Sequence, residues 1–195
     1  MAFLLGERMN YIIINKDNID KEHICCAMSN KKSLKKKEWL KERFDEGLVF
    51  YRSEERGKCF IEYIPDQYAW IPITSNNYMY INCLWVSGSM KGHGYSSDLL
   101  NYCIEDARQK GYKGVCILSS KGRKKEFLSD YKYLTHKGFK IADESDNGMY
   151  LCIFHSLKVI LHSLKNVPNI LISMNRVLYY IIQINVLLQI IGYHA

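Results

Sequence analysis

The residue types and spacing in the stretch Lys91-Gly92-His93-Gly94 suit anion binding. This stretch follows an apolar run and precedes a segment with helical periodicity. A helix N-terminus presents unpaired N–H groups and the positive end of the helix dipole, which together attract negative charge. Glycine lets the backbone approach a phosphate closely because it has no Cβ atom. The sequence therefore predicts an anion-binding turn, with an ordinary tight strand-to-helix turn as the alternative.

Two common nucleotide-binding motifs do not fit this turn. The dinucleotide pattern G-x-G-x-x-G needs a third glycine where the chain has Ser97. The P-loop needs Gly-Lys followed by Ser or Thr, whereas the order here is KGHGYSS. Neither standard nucleotide-binding motif therefore accounts for the turn.

The segments around the turn predict a mixed α/β sheet with at least one crossover unit. Tyr78–Ser87, rich in aromatic and β-branched residues, predicts the longest strand. Apolar residues spaced as on one helix face predict a helix from 95 to 110. Shorter apolar runs and capping signals predict further strands at 11–14, 48–53, 58–64, 114–118, 139–143 and 149–154, and helices at 18–28, 33–47 and 129–138.

Composition narrows the class of protein. The chain has 195 residues with 48% hydrophobic and 24% charged residues, which is typical of a globular protein. A net charge of +7 suits a small phosphorylated ligand as well as nucleic acid, and no nucleic-acid-binding motif is present, so no nucleic-acid partner is expected. Seven cysteines without a CxxC pair favour a reducing, cytoplasmic compartment and no metal site. The first twenty residues lack the basic region of a signal peptide.

The composition changes near residue 155, which predicts a domain over 9–154 and an apolar tail over 155–195. The tail contains no Asp or Glu, and its segment 177–193 is apolar except for Gln183, Asn185 and Gln189. One interpretation is a membrane anchor or a partner-binding helix; the other is a tail without a function, from a shifted reading frame. Because the three amides interrupt the apolar run, a membrane association is not expected.

The region from 83 to 118 resembles the acetyl-CoA-binding core of the GNAT family of N-acetyltransferases. In that core a strand ends in a hydrophobic-x-Val unit, here Leu84-Trp85-Val86, and a [QR]-x-x-G-x-[GA] loop follows, here Ser89 to Gly94. Ser89 departs from the Gln or Arg of the family. The segments KEHICCAM, WLKERFDEGLVFYRSEERGKCFIEYIP and FLSDYKYLTHKGFKIAD resemble the YoaP-type branch, over roughly 11–153. Since a further region follows the domain in that branch, the dissimilar tail suggests truncation or a frameshift.

The resemblance implies the GNAT fold, a mostly antiparallel twisted sheet flanked by helices, with an acetyl-CoA cleft between splayed central strands. It implies an acyltransferase that moves an acetyl group from acetyl-CoA to the primary amine of a small molecule or a protein. The transfer would occur by direct attack in a ternary complex, without a metal. The alternative is a GNAT-like module that binds acyl-CoA but does not catalyse.

The family pattern assigns donor-binding roles to two segments. The backbone of Leu84, Trp85 and Val86 would pair with the pantetheine arm, and a backbone N–H near Val86 would hold the oxyanion. The pyrophosphate would be held by the amides of Lys91, Gly92, His93, Gly94, Tyr95 and Ser96.

The resemblance does not directly assign the residues that donate and accept protons during transfer. The family's acid is a tyrosine four residues before the glycine of a Gly-Phe turn, but that position here is Leu134. Tyr133 and Tyr131 are close to it and are the candidate acids, with packing within a short helix as the alternative. Glu62, on the strand before the central one, is the candidate base, with a solvent-facing strand residue as the alternative.

Overall fold

The computed structural model describes residues 9–24, 30–73, 75–121, 128–145 and 148–155. The predicted tail, apart from His155, lies outside the described residues. The strands in these ranges are β1 (Tyr11–Ile14), β2 (Val49–Ser53), β3 (Cys59–Pro65), β4 (Tyr78–Val86), β5 (Gly114–Ser120), β6 (Ser129–Asp130), β7 (Lys140–Glu144) and β8 (Met149–His155). The helices are α1 (Asn30–Phe44), α2 (Tyr95–Gln109) and α3 (Tyr131–His136).

All eight strands belong to one mixed sheet. Seven of them follow the order β1-β2-β3-β4-β5-β8-β7, and β6 pairs with β5. The pairs are antiparallel except for β4 with β5 and β5 with β6, which are parallel. The α2 crossover between β4 and β5 accounts for the first parallel pair, because parallel neighbours need a long connection.

The two central strands diverge along their length. Within the described residues, β4 pairs with β5 only from Tyr78 to Tyr80, whereas its later part, 81–86, pairs only with β3. Glu62 is opposite Cys83 and Tyr63 is opposite Ile81, so Asn82 is an extra residue that forms a bulge in β4. A bulge bends a strand and increases its twist. The predicted mixed sheet with splayed central strands is confirmed.

A separate apolar core lies on each face of the sheet. The α1 face buries Leu40 of the helix with Ile14, Phe50 and Phe60. The opposite face buries apolar residues of α2 and α3 against the strands, among them Leu99, Cys103, Leu134, Ile61 and Ile81. The strands are therefore covered on both sides. The gap between the diverging ends of β4 and β5 connects the two faces of the sheet.

The predicted helix at 18–28 is wrong over its described part. Residues 16–22 form turns, and 25–28 lie outside the described residues. The Asn15 side chain accepts hydrogen bonds from the Asp17 and Asn18 amides, and the Asn18 side chain donates to the Ile13 carbonyl at 2.8 Å. Asparagine side chains that bond locally to the backbone compete with helix formation. The next helix also begins at Asn30, before the predicted Ser33.

Candidate functional site

A cleft of about 230 Å³ lies between the later half of β4, the turn before α2 and the start of α3. Its lining combines two apolar strand residues, the glycine turn, the first residues of α2 and one tyrosine of α3. The lining residues are Leu84, Val86, Met90, Lys91, Gly92, Gly94, Tyr95, Ser96, Ser129, Asp130 and Tyr133. Most of the residues predicted to bind the donor are therefore together in one concave site.

The glycine turn has the backbone conformation and the space that a phosphate requires. Gly92 and Gly94 both have φ of 85°, a left-handed conformation that favours glycine. A Cβ atom built on either residue would have nothing within 4 Å, so the backbone faces open space. Within the described residues, the amides from Gly92 to Ser96 donate to no backbone or side-chain acceptor. The Lys91 amide, in contrast, donates to the Gly88 carbonyl at 3.2 Å, so Lys91 can contribute only its side chain.

The first turn of α2 adds a favourable field for an anion. Gly94 is the N-cap residue, and no side chain caps the helix. Its carbonyl accepts from the Ser97 and Asp98 amides at 2.8 and 3.2 Å, whereas the amides before them are unused. The dipole of this 15-residue helix places partial positive charge at the cleft. A pyrophosphate fits a site with these donors.

The strand side of the cleft combines apolar side chains with an unpaired backbone edge. Leu84 and Val86 line the cleft, whereas Trp85 points to the other face, where Lys58 Nζ lies 5.3 Å from its ring centroid. The edge of 81–86 that faces β5 has no strand partner in the described residues. An extended ligand can therefore add to this edge by β-type hydrogen bonding.

His93, like Trp85, is a predicted donor-binding residue that does not line the cleft. Its ring is exposed and stacks on Tyr95 with a centroid distance of 5.4 Å. The Tyr95 ring lines the cleft, so His93 supports the turn from outside, and its amide remains among the unused donors.

Of the two candidate acids, only Tyr133 lines the cleft. Its hydroxyl oxygen is buried and has no hydrogen-bond partner in the described residues. Tyr131 instead packs edge-on against Tyr150 with a centroid distance of 5.6 Å. Leu134 is fully buried in the core, so the side chain one position earlier on α3 is the one that faces the cleft.

The placement of Tyr133 depends on residues that sequence analysis did not identify. The Asp130 carboxylate accepts from the Lys132 and Tyr133 amides at 2.8 and 3.2 Å and so caps α3. The Ser129 carbonyl accepts from Ser119 Oγ at 2.7 Å, which fixes the start of α3 against β5. An aspartate in the second position of the predicted helix 129–138 is an N-cap signal and could have indicated that the helix begins after Asp130. Met90, which also lines the cleft, carries no such signal.

Glu62 lies on the α1 face of the sheet and not in the cleft. Its side chain is only 5% exposed, so the expectation of a solvent-facing residue is wrong. The carboxylate accepts from Lys36 Nζ at 2.9 and 3.2 Å and from Asn82 Nδ2 at 3.2 Å. The bulge at Asn82 brings this amide to Glu62, so the feature that splays the strands also places a polar group beside the carboxylate.

The hydroxyl of Tyr80, the last β4 residue paired with β5, remains protonated near neutral pH. Burial, together with the thiols of Cys116 and Cys83, raises the pKa of Tyr80 well above its usual range. Tyr80 is therefore unsuited to accept a proton there. Among the described residues, Glu62 is the buried carboxylate.

Within the described ranges, no group of three or more His, Cys, Asp or Glu residues could hold a metal ion. No helix in these ranges is long and apolar enough to cross a membrane.

Comparison with known proteins assigns the chain to a family. Residues 18–123 match the model of the acetyltransferase (GNAT) family. The chain is 51% identical over 141 residues to the uncharacterized N-acetyltransferase YoaP of Bacillus subtilis (strain 168), covering 70% of this chain and 56% of that protein. It thus spans little more than half the length of this curated relative.

Solved structures share the fold at low sequence identity. A GNAT-family protein from Desulfovibrio desulfuricans has a TM-score of 0.51 and 11% identity, covering 76% of this chain and 100% of that one. The PaiA N-acetyltransferase of Thermoplasma acidophilum, solved with coenzyme A, has a TM-score of 0.50 and 12% identity, covering 75% of this chain and 99% of that one. These structures show the shared fold, and the family model together with the 51% identity to YoaP shows that the chain belongs to the GNAT acetyltransferase family.

Proposed function

We propose that this protein is an N-acetyltransferase that transfers the acetyl group of acetyl-CoA to a primary amine in a ternary complex. The observation that carries the proposal is a strand edge that runs into a cradle of amides at a helix N-terminus, neither of which has a partner in the described part of the chain. An extended arm ending in a pyrophosphate has the shape and charge for this site. Family membership supplies acetyl-CoA as the donor.

The donor is held by the backbone of two segments. The unpaired edge of Leu84, Trp85 and Val86 binds the pantetheine arm as an added strand. The amides from Gly92 to Ser96 and the Lys91 ammonium bind the pyrophosphate. Because the cradle uses backbone amides, its geometry is fixed by the glycines and does not depend on the missing Gln or Arg at Ser89.

The acceptor attacks from the α1 face of the sheet, which is opposite the face that lines the donor cleft. Its neutral nitrogen adds to the thioester carbon, and a backbone N–H near Val86 stabilises the resulting oxyanion. Glu62 takes the proton that the amine loses, directly or through water. The C–S bond then breaks as the amide forms, and the thiolate receives a proton from the Tyr133 hydroxyl. Holding the two reactants on the neighbouring strands β3 and β4 makes a bimolecular reaction effectively unimolecular.

Two observations favour the alternative, an acyl-CoA-binding module without catalysis. The family's acid position is the buried Leu134, and the loop has Ser89 in place of Gln or Arg. Against this, Tyr133 lines the cleft, and its buried hydroxyl has no hydrogen-bond partner in the described residues. A thiol has a pKa of about 8.5, so its departure as thiolate needs little assistance in any case.

Titration calorimetry of acetyl-CoA and desulfo-CoA into the full chain tests the donor site, and release of free thiol in a panel of amines tests turnover. We expect micromolar binding and acetylation of at least one amine. Glu62→Gln should keep the binding but lower turnover by about 100-fold or more, the usual contribution of a general base. Binding without turnover in the whole panel would favour the alternative, and a folded chain that binds neither compound would refute both.

We also propose that residues 9–154 act as one catalytic domain in the cytoplasm and that the tail is dispensable. β8 is the last strand of the sheet and ends at His155, one residue beyond this boundary. A chain truncated after His155 should bind acetyl-CoA with unchanged affinity. A fall in affinity or solubility on truncation would contradict this division.

A further inference from the structure

The α1 face of the sheet contains a site that holds an ammonium group. Lys36 Nζ lies 2.9 Å from Glu62 Oε2 and 3.2 Å from Oε1. It also lies 3.8 Å from the centroid of the Trp39 ring. The side chain of Lys36 is 18% exposed and that of Glu62 is 5% exposed, so this contact is largely sheltered from water.

The groups around this ammonium select a cation of a particular kind. A buried carboxylate supplies the charge, and the face of an indole attracts a cation through its quadrupole. Asn82 Nδ2 donates to Glu62 Oε1 at 3.2 Å and so fixes the orientation of the carboxylate. The stem that reaches this site is an unbranched chain of four methylene groups, as in every lysine. The site therefore accommodates a primary ammonium on an unbranched alkyl chain.

The position of the site relative to the donor cleft matches what direct transfer requires. Glu62 is the cross-strand neighbour of Cys83, on the part of β4 that has separated from β5. Leu84 and Val86 line the donor cleft from the opposite face. A donor bound along the β4 edge is thus approached through the splay from the side on which Glu62 holds the ammonium.

We infer that Glu62, Asn82 and Trp39 form the acceptor subsite, which takes a primary ammonium on an unbranched alkyl chain, and that Lys36 occupies it until the acceptor displaces it. This inference rests on the proposed function, since it assigns the substrate class of that same site. Lys36 is then an internal competitor. Its flexible stem lets the ammonium leave without any change in the α1 backbone.

Lys36→Met tests the competition because it removes the ammonium but keeps an unbranched side chain. The probe is n-butylammonium chloride, which has the same ammonium and four-carbon chain, and its binding without acetyl-CoA is followed by tryptophan fluorescence. If Lys36 fills the subsite at least nine-tenths of the time, its removal should lower the apparent Kd by about tenfold or more. Adding Glu62→Gln to Lys36→Met should abolish the gain.

Lys41→Met is the matched control. Lys41 is on the same helix and pairs with Asp20 at 2.8 Å, but both side chains are well exposed. This variant loses the same charge and should bind the probe as the wild type does. If Lys36→Met does not fold, Lys36→Gln replaces it, because its amide can hydrogen-bond to Glu62.

The link to acetyl transfer is tested by the KM for n-butylamine with saturating acetyl-CoA. It should fall in the Lys36 variant by the same factor as the Kd. Equal probe affinity in the wild type and the Lys36 variant, or a lower Kd with an unchanged or higher KM, would overturn the inference. Failure to bind acetyl-CoA would refute the proposed function instead, while the probe titration would still report on the subsite.

Discussion

Replacing Gly92 with glutamate should abolish donor binding while leaving the fold intact. Gly92 has φ of 85°, where a residue with a Cβ costs about 1–2 kcal/mol, but open space around it excludes a steric clash. The new carboxylate would lie within roughly 5 Å of a bound pyrophosphate. At an effective dielectric constant of about 20, repulsion per pair of unit charges is then about 3 kcal/mol. We therefore expect the Kd for acetyl-CoA to rise by at least about 100-fold.

The chain offers a matched control at the other end of α2. Gly111 has φ of 79° and nothing within 4 Å of a built Cβ atom, and it lies outside the cleft. Gly111→Glu therefore introduces the same side chain, charge and backbone strain. It should lower the melting temperature about as much as Gly92→Glu but leave the Kd unchanged.

Calorimetric titration of acetyl-CoA into both variants and into Gly92→Ala separates charge from strain. The alanine variant should bind at least about tenfold more tightly than the glutamate variant, because it has the strain without the charge. Raising the salt concentration should partly restore binding to Gly92→Glu, since screening weakens the repulsion. Wild-type affinity in Gly92→Glu, or equal losses in the two glutamate variants, would refute the anion cradle.

Three further predictions concern α3 and the last strand. Tyr133→Phe should lower kcat by about tenfold without changing the Kd for acetyl-CoA, whereas Tyr131→Phe should change neither; equal effects in kinetic assays would contradict the assignment. Gly114→Ala places a Cβ atom 1.9 Å from the Phe154 carbonyl oxygen and should cost at least about 2 kcal/mol, measured by urea unfolding; an unchanged midpoint would contradict this packing. Burial, together with the charge of Lys140, lowers the pKa of His155 in the folded chain. As the pH falls, the His155 imidazole therefore binds a proton in the unfolded chain before it does so in the folded chain. Stability should therefore decrease below about pH 6.5. His155→Gln should make the melting temperature depend less on pH. An unchanged pH dependence would show that other groups cause it.

The central strands and the glycine turn could be predicted because each depends on local sequence. The aromatic and β-branched run from Tyr78 specified β4, and the apolar spacing between Leu99 and Ala107 specified the buried face of α2. The prediction of a helix at 18–28 was wrong in its described part. The apolar spacing there is typical of a helix, but the Asn15 and Asn18 side chains form hydrogen bonds to nearby backbone groups instead.

The surroundings of Glu62 could not be predicted because they depend on contacts between distant segments. Lys36 and Glu62 are 26 positions apart, and an isolated glutamate on a strand more often faces solvent. The bulge that brings Asn82 to Glu62 results from strand register, which single-residue propensities do not encode. The position of the Tyr133 side chain likewise depends on how Asp130 orients a helix of only six residues.

The separation of β4 from β5 has a thermodynamic consequence for the proposed enzyme. A donor that pairs with the free β4 edge would join two halves of a sheet that the polypeptide alone leaves partly unconnected. Any ligand that binds only the folded state raises its stability in proportion to the logarithm of its concentration above the Kd. The folded fraction of this protein, and its resistance to proteases, would then rise and fall with the cellular supply of acetyl-CoA.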